Sequence, residues 1–385
     1  MTRSEVSLEV VTHIGEEFAA RHADDVDRNA RFPVETIDAL REVGALSAMV
    51  PRELGGAGAS VDQVSQMCLA LGRFCGASAM VFAMHQIQVA SMVRHLEGAP
   101  WFEQYLRELV EKQRLIASAT SEVGTGGDMG RSVAAVEDNG GSCSFEKQAP
   151  TVSYGEYADD LFVTVRRAPD AEPGDQSIVL VRSEQVSFEP MGTWDPLGMR
   201  GTCSPGFLLR AEFPAEQILP TPFSRVAAET MVPVSHILWS HLWLGIATDA
   251  FDRARAYVRA LAKQRPGDPP AQAVRLSHLM SQLSLLRAEV SSALRDFGEA
   301  DANDREQLST MAAALRFNNL KIAASEQAPR VCQDAMAVCG IVGFKNDTPF
   351  SVGRHLRDTM SACLMVANER IHQTNASLLL VAKDV

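Results

Sequence analysis

The chain has no Cys-x-x-Cys spacing, and its seven cysteines, at 68, 75, 143, 203, 332, 339 and 363, are odd in number. This argues against a disulfide framework, and the thiols read as reduced and mostly buried in a cytoplasmic protein. The nine histidines and the acids offer no zinc spacing, no HExxH and no EF-hand loop, so no metal site is expected. The opening residues MTRSEVSLEV lack the apolar core of a signal peptide. Runs long enough to span a bilayer are missing as well: Ile237 to Ile246 is interrupted by Ser240 and His241. No basic cluster stands out, and a formal net charge of −12 argues against a nucleic-acid partner.

What is present is an ordinary globular balance, 46% hydrophobic and 22% charged over 385 residues, enough for two or three domains. Up to residue 115 the signal is helical. Ile37, Leu40, Val43 and Leu46 recur at helical spacing after Phe32-Pro33, and Val61, Val64, Met67, Leu71 and Phe74 do so again beyond the breaker VPRELGGAGAS. Over 116–222 the period shortens. LIASA, CSFEK, LFVTVRR, SIVLV, VSFEPM and GFLLRAEFP read as strands separated by turn formers, which implies a barrel or sandwich rather than a βαβ sheet. From 223 to 385 helix returns, with Leu276, Leu279, Met280, Leu283, Leu286, Val290, Leu294 and Phe297 on one stripe.

The stretch TSEVGTGGDMG (120–130) packs four glycines and two acids into one loop. Glycines let a backbone approach a phosphate, but the acids would repel one. No lysine follows as a P-loop requires, and Met129 stands where a dinucleotide fingerprint needs its third glycine. The next segment reads as a strand and hairpin, so no helix N-terminus awaits the phosphate.

Four separated strings give the loop a context. Ser121-Glu-Val-Gly-Thr-Gly-Gly-Asp128 resembles the TEPGxGSD loop of the acyl-CoA dehydrogenase family. FPVETIDALREVGALSAMVPRELGGAG resembles that family's N-terminal entry, DPLGMRGTCSPGFLL (195–209) its LGxRGTxxxxLxF, and AMAVCGIVGFKNDTPFSVGRHLRD (335–358) its QxxGGxGxxxxxPxxRxxRD. The resemblance implies an α+β multi-domain fold: an N-terminal helical domain, a central β domain and a C-terminal four-helix bundle. It also implies FAD, with Thr120, Ser121, Gly126 and Gly127 along the flavin and its pyrophosphate. The acids there would serve the loop's own structure. Gly340 and Gly343 fall in the segment that reaches the adenine end in a neighbouring subunit, and Asn368 is placed with the cofactor too.

Departures from the pattern bear on the chemistry. The family's WIT maps onto Thr151-Val152-Ser153, which keeps a hydroxyl and loses the aromatic. The pyrophosphate serine is Gly127. Lys263 or Arg265 stands near the arginine of RxxFG. The glutamate that removes the Cα proton of a thioester falls, by count from Asp358, on Val366, and the alternative position on an earlier helix falls on Ser235. Losing a general base costs about 10²–10⁴ in rate. Three explanations stay open: a displaced base, with His236 or Glu369 as candidates; a monooxygenase or oxidase of the same fold, which needs none; or a catalytically silent subunit.

The resemblance implies an acyl thioester of coenzyme A or a carrier protein as substrate. Its acceptor would be an electron-transfer flavoprotein and its assembly a homotetramer or dimer. Gly127, His236, Trp239 and Val366 would border the substrate. Trp239, Trp243 and Met365 would crowd a short acyl end if they face inward; the two tryptophans could equally be bundle core at i, i+4 spacing.

Overall fold

The computed structural model describes residues 6–264, 266–267 and 269–382. Six helices come first: α1 (Leu8–Ile14), α2 (Ala20–Asn29), α3 (Val34–Glu42), α4 (Val61–Phe74), α5 (Gly76–Val93) and α6 (Pro100–Lys112). Each has a local reason. α4 opens on a capping box, in which Gln63 N–H donates to Ser60 Oγ (3.2 Å) and Ser60 N–H to Gln63 Oε1 (2.9 Å). α6 opens on Pro100, whose missing N–H costs nothing at a helix start. α5 is buried on nearly every face and forms the middle of this region.

The central region holds seven strands: β1 (Ile116–Ala119), β2 (Glu137–Asp138), β3 (Cys143–Ala149), β4 (Asp160–Arg166), β5 (Gln176–Arg182), β6 (Val186–Pro190) and β7 (Phe207–Phe213). They form two open sheets, ordered β1-β4-β5 and β2-β3-β7-β6, and no barrel closes. β1 runs parallel to β4, with Ile116 opposite Asp160. In β3 and β7 burial alternates, turning Cys143, Phe145, Lys147 and Ala149, and Phe207, Leu209, Ala211 and Phe213, to one side. β4 and β5 are buried on both faces.

The C-terminal region is built from α7 (Phe223–Val226), α8 (Val232–Gln264), α9 (Gln272–Asn303), α10 (Met311–Cys339), α11 (Ile341–Phe344), α12 (Gly353–Met360) and α13 (Asn368–Leu379). α8, α9 and α10 are three long bundle helices. The fourth is broken into α12 and α13 by a non-helical turn at 361–367. The apolar stripe of α9 buries Leu279, Leu283, Leu286, Val290 and Phe297, but Met280 is 42% exposed.

Two contacts lock these regions together. α4 and α8 touch backbone to backbone: a methyl added at Gly72 would lie 2.4 Å from the Leu242 carbonyl oxygen, and one at Gly245 2.2 Å from that of Leu69. At the other junction the buried Asp358 of α12 accepts the Met199 N–H (2.8 Å). Next to it, Arg357 forms a two-armed ion pair with Asp27 of α2. Gly198 sits so close that a methyl there would meet the Arg357 carbonyl at 2.0 Å.

Gly245→Ala should lower stability by about 1–3 kcal/mol in a urea melt, because backbone, not a yielding side chain, opposes the added methyl. Burial pushes the Asp358 carboxyl up from 3.8 to about 6. The folded chain therefore holds that proton more tightly than the unfolded one, and stability is lost as pH rises through this window. Asp358→Asn keeps an acceptor for Met199 and has no proton to lose, so it should gain on the unsubstituted protein between about pH 4 and about pH 7, read from urea midpoints at both values.

Candidate functional site

A cleft of about 620 Å³ opens where the three regions meet. Met80, Met84, Ile87 and Gln88 of α5 form one wall, and Ser118 at the end of β1 continues it. The glycine loop contributes Thr120, Ser121 and Thr125–Met129, and the opposite side is Trp194, Pro196–Met199, Met231, Ser235 and Trp239. α12 and the turn after it add Arg357, Met360, Ser361, Leu364–Ala367 and Arg370.

The loop's acids serve the loop. Glu122 is buried and its carboxylate accepts from Ser132 Oγ (2.5 Å), Val133 N–H (3.1 Å) and Ala134 N–H (2.5 Å). Behind it stands Lys147, 3.5 Å away and itself buried, donating to the Thr164 carbonyl (2.6 Å). Burial pulls this lysine down to about 8 against the pull of Glu122. Asp128 accepts the Gly130 N–H (3.0 Å). With Glu122 committed inward and Asp128 bonded to its own loop, the glycines at 124, 126 and 127 take φ of +93°, +60° and +83°, which only glycine adopts without strain.

A row of hydroxyls lines the β side. Ser121 Oγ donates to the Thr151 carbonyl (3.0 Å), Ser204 Oγ lies 2.9 Å from Ser153 Oγ, and Thr202 Oγ1 lies 2.8 Å from Ser204 Oγ. Thr120, Ser121, Gly126, Gly127, Thr151 and Ser153 all line the cleft, whereas Val152 is buried and does not.

The base positions are brought together, and both are empty of bases. Val366 and Ser235 line the cleft. Val366 has φ +45°, a left-handed conformation rare for a β-branched residue. Lys321 holds it there, donating from Nζ to the Val366 carbonyl (3.2 Å) and to Asn368 Oδ1 (2.6 Å). Asn368 is occupied in this clasp, with Ser325 as its other partner.

His236 does not reach the cleft. Its Nδ1–H donates to the Phe317 carbonyl (3.1 Å) and burial, with Lys321 nearby, drives its imidazole down to about 3. Met231, Ser235 and Trp239, spaced i, i+4, i+8, take the cleft-facing stripe, and His236 is turned about 100° off it toward α10. A displaced base at His236 is therefore corrected by the fold. Glu369 is exposed on α13 outside the lining. Trp243 is fully buried in the bundle, so only Trp239 and Met365 of the crowding residues border the cleft. Lys263 borders a separate surface hollow with Arg255 and Arg259; Gly340 and Gly343 follow α10, away from the lining. Arg265 lies outside the described residues. The α5 methionines, Trp194, Ser204 and Arg370 were not anticipated. Met80, Met84 and Ile87 do sit at i, i+4, i+7, but α5 is apolar all round, so no stripe singles them out.

Family models described as acyl-CoA dehydrogenase, N-terminal domain, and acyl-CoA dehydrogenase, C-terminal domain, match residues 5–113 and 226–365. The chain belongs to the acyl-CoA dehydrogenase family. Within it, the chain is 25% identical to cyclohex-1-ene-1-carbonyl-CoA dehydrogenase of Syntrophus aciditrophicus, covering 97% of this chain and 89% of the relative. It is equally 25% identical to a probable FMNH2-dependent monooxygenase of Pseudomonas putida, covering 95% and 93%. The FMN-bound structure of TdsC from Paenibacillus sp. A11-2 superimposes with TM-score 0.82 at 20% identity, over 97% of this chain and 96% of that one. Dehydrogenases and monooxygenases thus share this acyl-CoA dehydrogenase fold.

Glu122→Ala strands three donors and the buried Lys147. It should cost about 3 kcal/mol or more, and limited proteolysis should then cut within 120–134 faster than in the unsubstituted protein.

Proposed function

We propose that this family member is a flavin-dependent monooxygenase, working with reduced flavin and O₂, and not an α,β-dehydrogenase of acyl thioesters. One observation carries the reading: the ionisable residues among those lining the cleft are Asp128, Arg357 and Arg370 alone. Asp128 is bound to its own loop and Arg357 to Asp27, and neither a carboxylate nor an imidazole stands at Val366 or Ser235. A thioester dehydrogenase needs a group there to take the Cα proton. The likeness to the Pseudomonas putida relative is compatible with this choice, and the equal likeness to a dehydrogenase leaves the lining to decide it.

The residues present fit a flavin. The volume lies inside the roughly 300–1,000 Å³ range of cofactor clefts, and the glycine turns leave backbone rather than side chains on one side. The hydroxyls of Thr120, Ser121, Thr151 and Ser153 would hold the polar edge of the ring system. Bound reduced flavin supplies an electron pair, so that one oxygen atom of O₂ enters the acceptor and the other leaves as water. FAD is the family's cofactor, and the TdsC structure of the same fold is FMN-bound. A separate reductase would supply the reduced flavin, in place of the electron-transfer flavoprotein that a dehydrogenase requires. Met80, Met84, Ile87, Met231 and Trp239 exclude water and suit an apolar or aromatic acceptor. Lys263, Gly340 and Gly343 would reach a flavin only from a neighbouring subunit, which keeps a dimer or tetramer within this reading.

Mixed anaerobically with a panel of acyl-CoA thioesters, the protein loaded with oxidised flavin should keep its visible flavin band. Given chemically reduced flavin and ¹⁸O₂, it should place one labelled atom into an acceptor drawn from indole, dialkyl sulfides and primary amines. Rapid bleaching by a thioester would overturn the monooxygenase reading and restore the dehydrogenase one.

A further inference from the structure

The α5 wall of the cleft carries one residue that an apolar surface would not choose. Gln88 is 4% exposed and lines the cleft beside Met84 and Ile87. Among the described residues its side chain makes one hydrogen bond, Nε2–H to the Met84 carbonyl at 3.3 Å, within its own helix. Turning the amide over would set two oxygens against each other. Nε2 therefore meets Met84, and the buried Oε1 is left without a donor. Buried side-chain acceptors are nearly always paired, because an unpaired one forfeits its hydrogen bonds with water and gains none in return.

A donor in the same condition stands on α8. Trp239 is 8% exposed and lines the cleft, and its Nε1–H has no acceptor among the described residues. Its ring packs against His236 and Trp243, with centroids 6.1 and 6.4 Å away, which keeps the indole edge inside. Buried tryptophans usually find a partner for this group. Other polar side chains of the lining are matched: Trp194 Nε1–H donates to the Arg200 carbonyl (3.0 Å), Ser235 Oγ to the Val232 carbonyl (2.8 Å) and Ser361 Oγ to the Asp358 carbonyl (2.6 Å). Against that background an acceptor on α5 and a donor on α8 stand open. Neither bears a charge, so an ionised ligand group would find no counter-ion in them.

We propose that Gln88 Oε1 and Trp239 Nε1 form a specificity subsite for an uncharged group that both donates and accepts, a hydroxyl or a carboxamide, on an otherwise apolar acceptor molecule. This rests on the monooxygenase reading above and narrows its substrate. Met80, Met84, Ile87 and Met231 take the hydrocarbon body, and the pair takes one polar end. The terminal torsion of a glutamine is broad, so Oε1 can swing to meet a ligand hydrogen without moving α5. Such a site rejects an analogue whose polar group is replaced by a methyl, because that analogue leaves both protein groups unpaired. Gln88 is then kept for binding at the expense of the fold.

The test is a calorimetric titration of the full chain, carrying oxidised flavin, with β-naphthol and with β-methylnaphthalene, which differ by a hydroxyl against a methyl. The unsubstituted protein should bind the naphthol tighter by about 10-fold or more. Gln88→Leu, close in size and without the acceptor, should reduce that preference to within about twofold. Trp239→Phe, which keeps an aromatic ring and drops the donor, should lower it in the same direction. The urea midpoint of Gln88→Leu should rise, since methyl groups replace an unpaired buried amide. Absence of a preference in the unsubstituted protein, whether both ligands bind or neither does, would overturn the proposal. So would a preference that survives in Gln88→Leu. A fall in the urea midpoint of that variant would overturn it too, because the amide would then serve the fold. Binding is read without turnover, so these outcomes are separate from the fate of the monooxygenase reading, which bleaching by a thioester ends on its own.

Discussion

The cleft exists because Asp358 is buried where three parts of the chain converge. Its carboxylate accepts the Met199 N–H and so draws the 194–199 loop, which forms one wall, against α12, which supports another. One residue earlier, Arg357 reaches back to Asp27 and fastens α12 to the N-terminal helices. Gly198 is the accommodation that lets loop and helix meet, since any side chain there would strike the Arg357 backbone. A charge taken so far from water is expensive, which is why its carboxyl holds its proton to about 6. The cost is offset by joining segments 159 residues apart in sequence.

The chemistry of the cleft follows from which polar groups are consumed by structure and which are left over. Glu122, Lys147, Asp128, Asn368 and Lys321 all carry charge or hydrogen-bonding capacity near the opening, and each is satisfied by backbone or by another of the set. What lines the cavity is a row of hydroxyls, an apolar wall rich in methionine, Asp128 and Arg357 with their partners in the fold, and Arg370. Neither Val366 nor Ser235 can take a proton from carbon at neutral pH, and much of the lining can seat a planar, polar-edged ring system.

The order of helices, strands and helices was legible because each part has its own period, and every strand-like string became a strand. Whether the sheets closed was not legible, because pairing β1 with β4 depends on register between distant segments. The glycine loop, Thr151 and Ser153 could be placed from motif alone, since their backbones, not their neighbours, set their direction. His236 misled for a physical reason. α8 is buried around most of its circumference near this level, so no polar stripe marks which side faces the cleft, and a one-residue step rotates the imidazole onto α10. Arg370 was invisible as a site residue for the same kind of reason: only the break at 361–367 aims it along the loop.

The paired glycines at 72 and 245 bear on how such a chain can be recombined. The two family models divide the sequence into an N-terminal and a C-terminal part, yet α4 and α8 meet with no side chain between them. Those halves are cognate surfaces rather than interchangeable blocks. A chimera that took α4 from one relative and α8 from another would inherit mismatched steric demands at the crossing unless both glycines travelled together, so descent should preserve the pair as a single heritable trait.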